Sequence, residues 1–300
     1  MARIVLAGEG MIELSRGDGG EWRLGYGGDT LNTAIHLARH GEQVAYLTAL
    51  GDDPFSADLR AEWSGEGIDP ALVLTDPSRN PGLYAITTDS AGERTFSYWR
   101  NDSAARQTFA LPGIEAALAK TERADLLGFS LISLAILPPE GRAVLLGLAR
   151  RMRAAGKAVA FDGNYRPRLW ADAGSARAAR DEAIACCTIG LPTLEDEALI
   201  GDDGTPEEIA ARWQAAGAAE VVVKLGPDGC LVAGERVLPP ARLAPRDTSG
   251  AGDAFNAGYL HARLAGAAPP EAAMAGHRLA GWVVMRPGAV PPRDADSPYA

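Results

Sequence analysis

Short apolar runs and helix-spaced segments take turns along this chain. Residues 3–8, 44–50, 125–130, 157–162, 188–191 and 220–225 are brief apolar runs of strand length. Residues 30–40, 54–65, 140–155, 175–187, 206–216, 254–264 and 270–285 repeat their apolar positions with the period of a helix. Gly41, Gly156 and Gly217 stand just beyond three of these segments, where a left-handed residue ends a helix. The alternation predicts an α/β fold: a mostly parallel sheet with helices on both faces.

Two stretches, 11–25 and 82–100, break the pattern with alternating strands and no helix between them. Residues 83–88, a turn at Asp89 to Gly92, and residues 94–100 read as a hairpin. Together they predict a small β-sheet, placed over the strand C-terminal ends as a lid on a binding cleft. No repeat, low-complexity stretch or long linker interrupts the rest. The expectation is one domain, 1–300, with a lid from about 11–25 and 82–100 inserted in it.

Composition narrows the choice. Hydrophobic residues are 47% and charged residues 23%, ordinary for a soluble globular protein. The formal net charge of −10 argues against a nucleic-acid partner. Lysine occurs only as Lys120, Lys157 and Lys224, so arginine carries the other positive side chains. Cys186, Cys187 and Cys230 form neither a disulfide framework nor a metal-binding spacing. No apolar stretch has the length of a membrane span. The chain runs from Met1 straight into a strand with no signal segment. A reducing, cytoplasmic setting is expected.

The chemistry concentrates in Asp247-Thr248-Ser249-Gly250-Ala251-Gly252-Asp253. Two glycines ahead of a helix-compatible run describe a helix start with bare amides facing out, which attracts anions. A carboxylate beside a phosphate cradle is repelled by it. Asp253 therefore reads as a base that takes the proton of an attacking hydroxyl, or else as a plain capping residue. Gly27-Gly28-Asp29-Thr30-Leu31-Asn32 opens another helix. Asp29 or Thr30 could be its N-cap, or Asp29 and Asn32 could meet substrate hydroxyls. Arg100 ends the hairpin, and Arg166 follows a strand end in Asp162-Gly163-Asn164-Tyr165-Arg166-Pro167-Arg168. Two arginines facing one crevice predict a carboxylate-bearing ligand, and Arg168 a phosphate or a nearby acid. Lys224-Leu225-Gly226-Pro227-Asp228-Gly229 is a tight turn, either a plain hairpin or a nucleotide-binding edge. His277 reads as helix-face packing or as a neighbour of a nucleotide base, and Gly163 as a source of loop freedom.

These runs resemble the ribokinase-like (PfkB) sugar kinases over essentially the whole chain. The signature near residue 250 differs from the family pattern by Ser249 in place of a second threonine. Met11-Ile12-Glu13-Leu14-Ser15, Tyr98-Trp99-Arg100-Asn101 and Asn164-Tyr165-Arg166-Pro167-Arg168-Leu169-Trp170 resemble the branch acting on 2-keto-3-deoxygluconate. The resemblance implies a three-layer α/β/α fold and ATP-dependent phosphorylation of that acid's 6-hydroxyl, with Mg²⁺ bridging the phosphates. It implies Asp253 as base and the amides of Gly250, Ala251 and Gly252 as the anion hole. Gly28, Asp29 and Asn32 would hold sugar hydroxyls; Tyr84, Tyr98, Arg100 and Arg166 the acid end; Asp294 would also touch the sugar. Asn164, Arg166, Lys224, Gly226, Gly229, Gly250 and Gly252 would border ATP. Thr193-Leu194-Glu195-Asp196 replaces the family's Asn-x-x-Glu, so no metal ligand is assigned. The galacto epimer, another sugar, or a non-catalytic sugar sensor are the rival readings. A homodimer through the lid, or a higher homo-oligomer, is expected.

Overall fold

Alternate residues of the central strands enter different layers, and this sets the architecture. Val5 and Ala7 join one apolar cluster, while Ile4 and Leu6 join a second on the opposite face. Val221 and Val223 separate from Val222 in the same way. Both faces of the sheet are therefore buried, as a parallel sheet requires. A computed structural model describes residues 3–16, 20–88 and 94–299.

The chain runs β1 (Ile4–Ala7), β2 (Met11–Arg16), β3 (Trp22–Gly27), α1 (Asp29–Arg39), β4 (Val44–Leu50), α2 (Pro54–Gly65), β5 (Ile68–Asp69) and β6 (Val73–Thr75). The hairpin β7 (Leu83–Thr88) and β8 (Arg94–Trp99) follows, then α3 (Ile114–Thr121), β9 (Leu126–Ser130), α4 (Leu131–Ile136) and α5 (Pro139–Ala154). Next come β10 (Ala158–Asp162), α6 (Ala173–Cys186), β11 (Ile189–Leu191), α7 (Leu194–Leu199), α8 (Pro206–Ala215) and β12 (Glu220–Lys224). The chain closes with β13 (Cys230–Val232), β14 (Glu235–Val237), α9 (Ala251–Leu264) and α10 (Pro269–Val284).

The main sheet has the order β14-β13-β12-β11-β10-β9-β1-β4-β5, with β6 also on β4. It is parallel from β12 to β5 and antiparallel only at the β12–β13–β14 edge. Helices α5, α6 and α8 cover one face; α1, α2, α9 and α10 cover the other. The expected three layers are present. No helix among the described residues is long and apolar enough to cross a membrane.

The stretches that broke the alternation form a second sheet, β3-β2-β7-β8, in which β2 and β7 run parallel. The turn expected at Asp89 to Gly92 lies outside the described residues. Cross-strand register puts Glu13, Tyr84 and Tyr98 on one face. The opposite face packs Ile12 and Leu83 onto the core and leaves Trp22, Leu24 and Trp99 exposed.

Two local readings need correction. The final pair of helices begins earlier than its apolar period shows: α9 starts at Ala251, so Gly252 and Asp253 lie in its first turn. Gly163 does not supply loop freedom. A Cβ there would come 3.2 Å from the Trp213 ring, so the glycine makes room for that indole. Gly190 serves the same ring more tightly, at 2.6 Å, on the neighbouring strand. Trp213 is itself stacked on Phe161 at 5.7 Å, so it has nowhere to move. Gly190→Ala should therefore lower unfolding stability by about 1–3 kcal/mol, the usual cost of overpacking, as measured by urea denaturation.

Candidate active site

The C-terminal ends of β9, β10 and β12 face the first turns of α1 and α9. Each brings one polar residue to the crevice: Ser130, Asp162 and Lys224. Gly28 stands at the N-cap of α1 and must be glycine because a Cβ there would lie 2.2 Å from the Glu9 carbonyl oxygen. No side chain caps this helix, so neither Asp29 nor Thr30 is its N-cap. Asp29 instead turns its carboxylate to the crevice, where Asn164 Nδ2 donates to it at 3.2 Å and the nearby Ser130 hydroxyl favours its charged form.

Helix α9 meets α1 here. Asn32 Nδ2 donates to Asp253 Oδ2 at 2.8 Å, and Thr33 Oγ1 donates to the Asp253 carbonyl at 3.2 Å. Asn32 Oδ1 is buried with no hydrogen-bond partner among the described residues, an open acceptor beside the carboxyl group. Burial pushes Asp253 up to about 8; Asp29 nearby pushes the same way, and the Asn32 hydrogen bond opposes both. Burial also raises Asp29. A carboxyl held near neutrality is suited to accepting a proton at physiological pH.

Gly250, the N-cap of α9, takes a left-handed conformation with φ 69°. The expected amide set shifts by one residue. The Ala251 N–H is used by the Thr248 carbonyl at 3.3 Å, because the turn into the helix closes on itself there. The N–H groups of Gly252 and Asp253 have no partner among the described residues. They are the open donors at the positive end of the helix.

Lys224 stands beside them, with its Nζ 3.8 Å from where a Cβ on Gly252 would lie. It donates to Asp162 Oδ1 at 2.9 Å and to Asn256 Oδ1 at 3.2 Å, while Asn256 Nδ2 donates to Asp162 Oδ2 at 2.8 Å. The lysine is thus fixed, with its charge balanced from behind. A cavity of about 20 Å³ lies under the cluster, lined in part by Asp29, Thr33, Asp162 and Asn256. Gly226 and Gly229 bracket the turn after β12, both with positive φ, and a Cβ on Gly229 would meet the Val237 carbonyl oxygen at 2.3 Å.

Over the other side of the crevice stands the small sheet. Tyr84 Oη donates to Glu13. Tyr98 lies 5.9 Å from the Tyr84 ring and is surrounded by the charges of Arg100, Arg166, Arg168 and Asp29. The two expected carboxylate-gripping arginines differ. Arg100 is buried and pairs with Glu9, its Nε donating at 2.7 Å, so half of its guanidinium is already used. Arg166 is half-exposed, donates to the Tyr165 carbonyl at 2.6 Å and lies 3.4 Å from Asp196. Arg168 is exposed.

Asp294 is not brought to this cluster. It accepts from Trp282 Nε1 at 3.1 Å and pairs with Arg286 at 2.6 Å. His277 is buried and donates to the Val237 carbonyl at 3.1 Å, the packing role expected of it. Among the described residues, no group of three or more His, Cys, Asp or Glu side chains is arranged to hold a metal ion. Asp162 and Asn256 were missed as site members. Their signals were a carboxylate at a strand C-terminal end and an amide three residues after Asp253 on one helix face.

Comparisons over the whole chain place it among known proteins. The model for the pfkB family of carbohydrate kinases matches residues 1–296. This chain belongs to that family. It is 45% identical over 306 residues to 2-dehydro-3-deoxygluconokinase of Escherichia coli (strain K12), covering 98% of each chain. It is 43% identical to the enzyme of that name from Dickeya dadantii (strain 3937), covering 97% of each. Among solved structures, a PfkB protein from Polaromonas sp. JS666 superposes with a TM-score of 0.83 at 30% identity, covering 93% of this chain and 94% of that one.

Two outcomes are expected for Asp253→Asn. Turnover should fall roughly 10²–10⁴-fold, the usual size of a general-base contribution. The variant should also gain stability over the parent as pH rises from 4 to 9. Folding raises the pKa of this carboxyl, so the parent loses stability as pH rises towards about 8, and the amide does not. In the parent, kcat/KM should climb with pH to a midpoint near 8, and Asn32→Ala should move that midpoint upward. Thermal melts and pH–rate profiles check each statement.

Proposed function

We propose that this protein transfers the γ-phosphoryl group of ATP to the 6-hydroxyl of 2-keto-3-deoxygluconate. The observation that carries the reading is the 45% identity, over 98% of both chains, to the E. coli 2-dehydro-3-deoxygluconokinase. The crevice supplies the parts such a reaction needs. The sugar hydroxyls meet Gly28, Asp29 and the open Oδ1 of Asn32. The attacking 6-hydroxyl gives its proton to Asp253. Charge on the transferring group is met by the Gly252 and Asp253 amides and by Lys224, held in place before reaction.

The acid end lies under the small sheet, against Tyr84, Tyr98 and Arg166, with Arg100 presenting the edge that Glu9 leaves open. The sheet acts as a lid that excludes water from the transfer. The nucleotide follows the other wall, along Asn164, Lys224 and the Gly226–Gly229 turn. Asn164 reaches Asp29 as well, so it joins the two substrate halves.

Mg²⁺ is the metal this reading calls for. It takes oxygen donors and keeps several waters, with one or two carboxylates and substrate phosphates. Asp196 fits as such a carboxylate, with Asp162 near it. Burial raises Asp196 to about 6, and the neighbouring Asp162 adds to that rise, a pairing that a cation would relieve. Held there, Mg²⁺ would supply positive charge against the phosphates during transfer. We also place the enzyme in the cytoplasm, in keeping with three buried free cysteines.

The exposed Trp22, Leu24 and Trp99 on the outer face of the lid support a homodimer formed lid to lid. Light scattering should give twice the 31.4 kDa chain mass, and Trp99→Asp should shift it to one.

A coupled ADP-release assay with ATP and Mg²⁺ tests the function. The keto-deoxy acid should be turned over far faster than fructose or ribose. Comparable rates on neutral sugars would overturn the reading. Arg166→Ala should raise KM for the acid at least tenfold while KM for ATP changes little, since a charged hydrogen bond to the acid is lost.

A further inference from the structure

Helix α1 does more than hold the base. One face of it carries Asn32, His36, Arg39 and His40, spaced three and four residues apart so that they stack along the helix. The first of them reaches Asp253. The others bind the C-terminal segment of the chain.

His36 is fully buried. Its Nε2 lies 3.0 Å from the Ala289 carbonyl oxygen, and its Nδ1 lies 2.7 Å from Tyr299 Oη. A carbonyl only accepts, so Nε2 carries the hydrogen and Nδ1 accepts from the tyrosine hydroxyl. One turn further on, Arg39 Nη1 donates to the Pro291 carbonyl at 2.7 Å, and its guanidinium lies 5.9 Å from the centre of the Tyr299 ring. The edges of His40 and Trp282 close the same ring at 5.0 and 5.5 Å.

The segment held in this way presses on the anion loop. A Cβ built on Gly250 would lie 2.5 Å from the Ala289 Cβ and 2.8 Å from its Cα. Asp247 ties the same two pieces from the side. It accepts from the Ser249 N–H at 2.9 Å and from the Gly288 N–H at 2.6 Å. Gly250 is the left-handed residue that leads the backbone into α9, whose first open amides are those of Gly252 and Asp253.

We propose that residues 289–299 are a positioning strap for phosphoryl transfer. Clasped to α1 by His36 and Tyr299, the strap backs Gly250 and fixes the aim of the two open amides. Helix α1 thereby holds the base directly and the anion loop through the strap, so both move as one body. The proposal rests on the role given above to those amides. Ala289, His36 and Tyr299 are positioning residues and touch no substrate.

Two variants test it in steady-state assays with ATP, Mg²⁺ and 2-keto-3-deoxygluconate. Tyr299→Phe removes one hydroxyl from the clasp. Ala289→Gly removes the methyl group that backs Gly250 and leaves every hydrogen bond to His36 in place. Each should lower kcat about fivefold, the factor that follows from losing one hydrogen bond or contact of ordinary net strength. KM for the acid and for ATP should stay within twofold. A kcat equal to the parent's in both variants, even with a lowered Tm, would make the strap merely structural and overturn the proposal. A raised KM for the acid with unchanged kcat would overturn it too, since the strap would then shape the sugar pocket. Should Tyr299→Phe fold poorly, Ala289→Gly decides. Parental turnover of the acid tests the assigned function by itself; only the ratio of variant to parent tests the strap.

Discussion

One hydrogen bond, from Asn32 to Asp253, joins segments 221 residues apart in the chain. It places a buried carboxyl group next to a helix start that has open amides. Burial opposes the charged form of that carboxyl, and the amide donor favours it. The balance leaves a group that can take a proton and give it up again near neutral pH. The rest of the α1–α9 contact serves to hold this pair at fixed separation, in a place that water reaches poorly.

Charge around the crevice is arranged in balanced units. Lys224 sits in a closed ring with Asp162 and Asn256, and Arg100 is buried against Glu9. Buried charges persist when they are paired and hydrogen-bonded. Such pairs are stiff, because breaking one strands a charge in the interior. The protein as a whole is strongly acidic, yet an anionic substrate meets donors that are already oriented and need no rearrangement.

Most of the fold was legible because helices and strands here keep their periods. The β4 and α2 boundaries follow directly from the apolar pattern. The short α4 and α7 carry too few residues to show a period, and the β13–β14 hairpin is only three residues per strand. Asp253, Asp29 and Asn32, which the structure brings together, stood out in the sequence because Gly252 and Gly28 precede the two carboxylates and Asn32 lies three residues after Asp29. The Ala251 amide was misassigned because a closed turn consumes it, which only coordinates reveal. Arg100 showed itself as a cation but not as half of a buried pair, since Glu9 lies 91 residues away. The C-terminal segment showed only Asp294, and not its clasp on α1: His36 and Arg39 hold the Ala289 and Pro291 carbonyls, which every sequence has, and Tyr299 lies 263 residues from His36.

The small sheet is woven from two separate stretches of chain, with β2 and β7 side by side in parallel. It therefore joins the main body at four crossings, near Gly10, Gly27, Gly82 and Arg100, and three of these are glycines. A flap hung from one hairpin could swing wide. A plate attached along its whole edge can only tilt, and every tilt is shared by all four strands. Tyr84 and Tyr98 then travel together, and whatever lies beneath them is pressed by a flat surface rather than a loose tip.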